Sequence, residues 1–190
     1  ERYLEPQRIP KGQNLTQRSV EHFYFWGISE ELRNARILPP EYPMNGIIAH
    51  RDLVGDYWYA PPLREIVNKY YFEDNERLPQ YQTEKVLRAR MAEIACIDAR
   101  FGWSGETVDQ DEDGVRVAIA EQNADGRETL DADYLVGCDG SHSTIREQIG
   151  IVRGGSDFEQ LMVLAVFRSP ELNDGLKRFP PRSTYRVMHR

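Results

Sequence analysis

The residues best suited to chemistry lie in one run: Tyr134, Leu135, Val136, Gly137, Cys138, Asp139, Gly140, Ser141, His142, Ser143, Thr144, Ile145 and Arg146. An apolar stretch, a tight Asp-Gly turn and the start of a polar helix follow one another there. Such a junction offers a carboxylate to sugar hydroxyls. It also offers helix-end N–H groups, with their partial positive charge, to phosphate. The local design is that of a nucleotide-binding edge. Asp139 can also orient a cation, with Arg146 and Arg18 as candidates. Asp-Gly on its own marks ordinary turns, so the whole run carries the argument. The plainer alternative is a capped helix after a strand.

Other groupings point elsewhere only weakly. Asp109, Asp111, Asp113 and Gly114 imitate the start of a calcium loop, but its twelfth position, where a bidentate Glu belongs, is Ala120. A solvated hairpin turn explains them better. His22, His50, His142 and His189 are scattered and pair with no Cys or carboxylate at metal-ligand spacing. No metal site is expected. There is no G-x-S-x-G and no evident triad, so the catalytic residue stays unassigned.

The elements that must position the Asp-Gly turn follow from periodicity. Residues 14–26 read as a helix, with Asn14 or Thr16 as cap. Val20, Phe23, Tyr24 and Trp26 supply its apolar stripe, and Gly27 stops it. A short helix is expected over 29–35. Residues 37–77 then read as a loop-rich insertion carrying Pro39, Pro40, Pro43, Pro61 and Pro62 among many aromatics. Two readings stay open for it: the roof of a pocket, or a loop packing its own rings. A helix over 83–93 buries Leu87, Met91 and Ile94.

From 95 to 135 the period changes to two. Strand character appears at 95–101, 103–109, 115–120, 127–131 and 133–138, with turn signals at Asp113-Gly114 and Asp125-Gly126. That is an antiparallel meander over about 95–132. It feeds a strand at 133–138 whose apolar run suits burial on both faces. Thr144 and Glu147 have capping-box spacing, and Gly150 ends the helix they start. Residues 160–168 read as another buried strand.

Composition bounds the function. The 190 residues are 40% hydrophobic and 29% charged, with a net charge of −7. That is a globular profile, unsuited to non-specific nucleic-acid or anionic-membrane binding. No apolar run approaches the roughly 20 residues that span a bilayer, and no signal peptide is evident. Cys96 and Cys138 make no disulfide framework; Cys138, inside an apolar run, reads as a buried thiol. A cytoplasmic setting is expected. The chain opens without Met and ends at Arg190 without a closing element, which reads as a piece of a longer protein.

The Asp139 run resembles the DG motif of the FAD-dependent aromatic hydroxylases, the class A flavoprotein monooxygenases that include the p-hydroxybenzoate-hydroxylase-like and phenol-hydroxylase-like enzymes. The family motif is an apolar run, then G-A/C-D-G-x-x-S-x-V/I-R. Three further segments are similar to the family in the same order. Glu1-Arg2 looks like the end of the second strand of the nucleotide-binding unit, where the Glu meets the adenosine ribose. Leu15, Arg18, Ser19 and Glu21 match the pattern G-R-A-x-x-L-x-x-R-T/S-x-E. Gln13 stands where the family has the Arg of G-R-A, and Lys11 can substitute for it. Leu78-Pro79-Gln80 and Glu84 resemble P-Q-x-x-x-E, in which the Gln contacts the flavin; Gln82 is the neighbouring alternative.

The resemblance implies an α/β fold: an incomplete Rossmann-like FAD-binding domain over 1–155 with an inserted antiparallel β-meander, leading into a substrate domain from 156 to 190. It assigns Glu1, Arg2, Gln13, Arg18, Gln80, Asp139 and Gly140 to the cofactor. The phosphate loop G-x-G-x-x-G, expected roughly 20 residues before Glu1, and the later G-D motif are not in this sequence. The implied activity is FAD-dependent hydroxylation of a phenol-like ring, with NAD(P)H as reductant and O2 adding at the flavin C4a to give a hydroperoxide. The implied partners are a small aromatic substrate and O2, and a homodimer is a compatible assembly. Two alternatives remain: a related flavoprotein of other chemistry (halogenation, epoxidation or reduction), and a non-catalytic binding module that keeps the fold.

Overall fold

A computed structural model describes residues 1–9, 11–42, 45–62, 65–156 and 160–189. Pro43, expected in the loop-rich insertion, lies outside the described residues. The chain divides into two compact units. One comprises Glu1–Pro6 with Asp98–Leu164; the other comprises Gln7–Ile97 with Ala165–Arg190.

In the second unit, β1 (Asn14–Leu15) leads into α1 (Gln17–Phe25). Thr16 caps α1 by accepting the Ser19 N–H, and Gly27, at φ +71°, closes it in a conformation that a side chain would strain. α2 (Ser29–Asn34) follows at once. Val20, Phe23, Ile28, Leu32 and Leu78 form one buried cluster, flanked by Leu15, Ala35, Val86 and Leu87. Each such side chain contributes about 1.5–3 kcal/mol by leaving water. Tyr24 and Trp26, expected in the buried stripe, are half exposed. Trp26 lies beyond the last helical turn and packs its ring beside Phe23 and His22 instead.

The loop-rich insertion is more structured than its composition indicates. It holds β2 (Ile47–His50), β3 (Trp58–Tyr59), α3 (Glu65–Asn68) and β4 (Glu76–Arg77). β4 pairs with β1. α4 (Gln80–Ala92) starts three residues earlier than expected, and its apolar side chains are only half-buried.

In the first unit, β5 (Trp103–Gln110), β6 (Val115–Glu121) and β7 (Arg127–Ala132) form the expected meander in the order β5-β6-β7. Residues 95–101 are not a strand; a turn occupies them before the meander begins. Residues 1–3 are also not a strand, although the Glu1 carbonyl accepts the N–H groups of Gly102 and Trp103. α5 (Thr144–Gln148) ends this unit's regular structure. The chain then returns to the second unit, where α6 (Pro170–Leu176) precedes β8 (Tyr185–Met188). β8 lies parallel to β2, completing a sheet in the order β3-β2-β8.

Two expected buried strands are corrected. Residues 133–138 and 160–168 run without a ladder partner among the described residues. Their apolar side chains are open to solvent: Tyr134 is 88% exposed and Leu161 86%. An apolar run becomes a strand only where a neighbour satisfies its N–H and C=O groups. Cys138, expected to be buried, is exposed for the same reason, as is Cys96.

Candidate functional site

The turn at Asp139 is built by its own helix. Asp139 Oδ1 accepts the Ser143 hydroxyl at 2.5 Å, and Oδ2 accepts the Ile145 N–H at 3.1 Å and the Thr144 hydroxyl at 3.3 Å. Ser143 Oγ in turn accepts the Arg146 N–H at 3.0 Å. These donors hold the carboxyl down to about 2, the Ser143 hydroxyl first among them and the Ile145 N–H next. Asp139 is thus a fixed, exposed anion at neutral pH. Gly140 follows at φ +86°, with no atom within 4 Å of where a Cβ would stand. The chain turns there in a conformation natural to glycine and leaves one side open.

This geometry changes three expectations. The helix cap is Ser143 rather than Thr144; Thr144 is the first helical residue. The leading N–H groups of α5 are not all free for phosphate, because Ile145 and Arg146 donate to Asp139 and Ser143. Asp139 pairs with neither candidate cation: Arg146 lies 3.7 Å from Glu147, and Arg18 lies 3.3 Å from Glu21.

The helix carrying this turn is itself anchored. β5 is the edge strand of its sheet, with a bulge between Gly105 and Thr107, and the Glu106 carbonyl and the Val108 N–H on its outer edge have no ladder partner. The Gln148 amide fills both positions: Nε2 donates to the Glu106 carbonyl and Oε1 accepts the Val108 N–H, each at 2.8 Å. The meander thereby fixes the far end of α5. Nothing in the linear order of Glu106 and Gln148 announces this clasp. Ser143, by contrast, sits four residues after Asp139 at a cap-forming residue type, a signal that was there to be used.

The remaining expected site residues divide between the units. Glu1 and Arg2 belong with Asp139 and Gly140; Gln13, Arg18 and Gln80 belong to the other unit. The Glu1 carboxylate accepts the Tyr3 N–H at 2.8 Å, and the Arg2 guanidinium lies over the Tyr3 ring. In the second unit the structure brings Gln13 and Gln80 together. The Leu78 N–H donates to the Gln13 carbonyl at 3.0 Å and the Gln80 N–H to the Gly12 carbonyl at 2.9 Å, extending the β1–β4 pair. Both glutamine side chains are exposed, as is Arg18 on α1.

Sequence reasoning passed over the ions behind this loop. Arg33 pairs with Glu30 and Glu73, and Arg36 with Glu76 at 3.0 Å. Burial pushes the Glu76 carboxyl up despite Arg36. Next to it, Arg77 is buried, and burial lowers its basicity. Its Nη1 donates to the Thr184 hydroxyl at 2.7 Å, tying the loop before Gln80 to the start of β8.

A family model described as an FAD binding domain matches residues 1–185. The chain belongs to this FAD-binding family. It is 27% identical over 184 residues to the FAD-dependent monooxygenase apdD of Emericella nidulans, covering 91% of this chain and 29% of that protein. It is 34% identical over 111 residues to the 12-dehydrotetracycline 5-monooxygenase/anhydrotetracycline 6-monooxygenase of Streptomyces rimosus, covering 58% of this chain and 22% of that enzyme. Among solved structures it resembles the flavin-dependent monooxygenase PieE in complex with FAD and substrate, with a TM-score of 0.70 and 27% identity over 82% of this chain and 28% of that one. The chain therefore spans less than a third of the length of these relatives. The fold is that of the Rossmann-like FAD domain with its antiparallel meander.

The residues present suit FAD. Asp139 is an acceptor that is ionised at neutral pH and held in place by three donors beside an open glycine. Gly12, Gln13 and Gln80 line a hydrogen-bonded loop pair whose amide side chains are exposed. Among the described residues, no helix is long and apolar enough to cross a membrane, and no three His, Cys, Asp or Glu side chains group to hold a metal.

Proposed function

We propose that the full-length protein is an FAD-dependent monooxygenase that hydroxylates an aromatic, phenol-like substrate. The observation that carries this reading is the Asp139 turn, a carboxylate locked by its own helix in a chain of the FAD-binding family. Bound FAD supplies the oxygen-transfer chemistry, with NAD(P)H as reductant and O2 as co-substrate. The chain's own part is to bind and orient. Asp139 accepts from hydroxyls of the ribityl–pyrophosphate region, and Gly140 lets that region approach the backbone. Glu1 accepts the adenosine ribose hydroxyls after releasing the Tyr3 N–H, and Arg2 lies beside it. Gln80 and Gln13 offer amides to the flavin, and Arg18 adds a cation on α1. No side chain of this segment needs to act as a nucleophile. Relatives named as acting on tetracyclines support a ring substrate.

The visible spectrum of the purified full-length protein tests the assignment. A bound yellow flavin, or one taken up from added FAD, is expected; a colourless protein that takes up none would overturn it. Asp139→Ala is expected to weaken FAD binding at least tenfold in a folded protein. Asp139→Asn, which keeps hydrogen bonding and loses the charge, is expected to fall between. Unchanged affinity in both would remove Asp139 from the site.

A further inference from the structure

The two carboxylates proposed to meet FAD, Glu1 and Asp139, lie in the first unit. Both are fastened to the outer edge of β5. The Gly102 carbonyl, just before β5, accepts the Gln122 N–H from the β6 side. A planar peptide points its carbonyl and the next N–H in opposite directions, so the Trp103 N–H faces outward. The Glu1 carbonyl accepts it there at 3.1 Å, together with the Gly102 N–H at 2.7 Å. Farther along the same edge, the Gln148 amide takes the Glu106 carbonyl and the Val108 N–H.

The second fastening decides where Asp139 stands. α5 has five residues, none of them buried, and a helix that short does not hold itself by its own hydrogen bonds. Its first turn is locked onto Asp139 through Ser143, Thr144 and Ile145. Turn and helix therefore form one small body. The chain enters that body from β7 through residues 133–138, which run without a ladder partner among the described residues. The Gln148 side chain joins its far end to the meander.

The residue that receives this amide is itself held. Glu106 stands at the bulge between Gly105 and Thr107, and its carboxylate pairs with Arg127 of β7 at 2.9 Å. The Gln148 amide gives one bond and takes another, as the peptide groups of a neighbouring strand would, so it fixes direction as well as distance. The spacing of Asp139 from Glu1 is thus carried by β5. A ligand that must reach two groups binds best when their spacing is set before it arrives, because the cost of ordering them does not then oppose binding.

Resting on the function proposed above, we infer that β5 sets the spacing of Glu1 and Asp139 for FAD, and that Gln148 is the positioning residue that maintains it. The test titrates FAD into the full-length protein freed of flavin. Gln148→Met, of similar length and without the amide, is expected to weaken FAD binding at least fivefold. Glu1→Ala removes one end of the span while keeping the carbonyl that binds β5, and it too is expected to weaken FAD. In the Glu1→Ala background, Gln148→Met is expected to change the affinity by less than twofold, because no spacing is left to maintain. Amide hydrogen exchange separates positioning from loss of structure: Val108 should exchange faster in Gln148→Met, and Ile145 within twofold of the wild type. Should Gln148→Met fail to fold, Gln148→Glu, which keeps the acceptor for Val108 and loses the donor to Glu106, decides in its place. An FAD affinity within twofold of the wild type, an equal loss with and without the Glu1 carboxylate, no effect of Glu1→Ala, or Ile145 exchange that rises as much as Val108 would overturn the inference. Each leaves the flavoprotein assignment standing, which a colourless wild-type protein that takes up no FAD would remove.

Discussion

Two three-stranded sheets among the described residues solve the same problem in opposite ways. The meander β5-β6-β7 is built from neighbours in sequence, joined by short hairpins. Between 106 and 133 it carries ten carboxylates against two arginines. Its strands pair before anything distant is needed. The sheet β3-β2-β8 is built from strands of two and four residues, the third of them brought back from the far end of the chain. Short strands of that kind do not stand by hydrogen bonds alone. They depend on side-chain burial, with Ile47 and Ala49 of β2 buried and the buried Phe179 ring packed against Trp58 and Tyr185. One sheet is secured by local pairing and the other by side-chain burial.

Core truncation breaks this comparison most sharply. Ile47→Ala, at a fully buried position, is expected to cost toward the upper end of the ~2–5 kcal/mol typical of such deletions. Ile119→Ala in the meander, a position that keeps some contact with solvent, is expected near the lower end. Urea unfolding of both variants measures the difference, and equal losses would contradict it. Removing the clasp comes next: Gln148→Ala leaves the Glu106 carbonyl and Val108 N–H to solvent and is expected to cost about 1 kcal/mol. Faster amide hydrogen exchange at Val108 reads that effect directly.

A shallower effect follows from pH. The Asp139 carboxyl is held at about 2 in the folded chain against an ordinary 3.8. Its contribution is therefore complete above the ordinary value and is lost as pH falls through about 2. The urea midpoint of the wild type should approach that of Asp139→Asn as pH drops from 5 to 2. A constant gap would show that the ionised form is not the one the turn favours. The smallest effect is expected at Arg116, whose partners Asp109 and Asp131 are both exposed. Arg116→Ala should change stability by less than about 0.5 kcal/mol.

How much of this was legible in the sequence depends on where each element finds its partner. Val115, Val117 and Ile119 alternate beside their own hairpins, so β6 was readable to within a residue. Residues 133–138 carry an equally strong apolar signal and lie exposed, because hydrophobicity says that a segment wants cover without saying what provides it. β2, β3 and β8 were too short for periodicity to speak, and the pairing of β2 with β8 joins distant segments. The Asp139 turn was legible by residue type, since Asp-Gly before a Ser-initiated helix encodes its own geometry. The amide clasp from Gln148 was not, because its receptor is the outer edge of another element's backbone.

That clasp has a consequence for how the chain behaves in company. β5 is an outer strand of its sheet, and outer strands invite other chains to add to them. The bulge spoils the flat template, and the Gln148 amide occupies the donor and acceptor that an incoming strand would seize. The contact that steadies the Asp139 helix thus also works as a plug against self-association, and a variant lacking it should first betray itself in the solubility of the protein at high concentration.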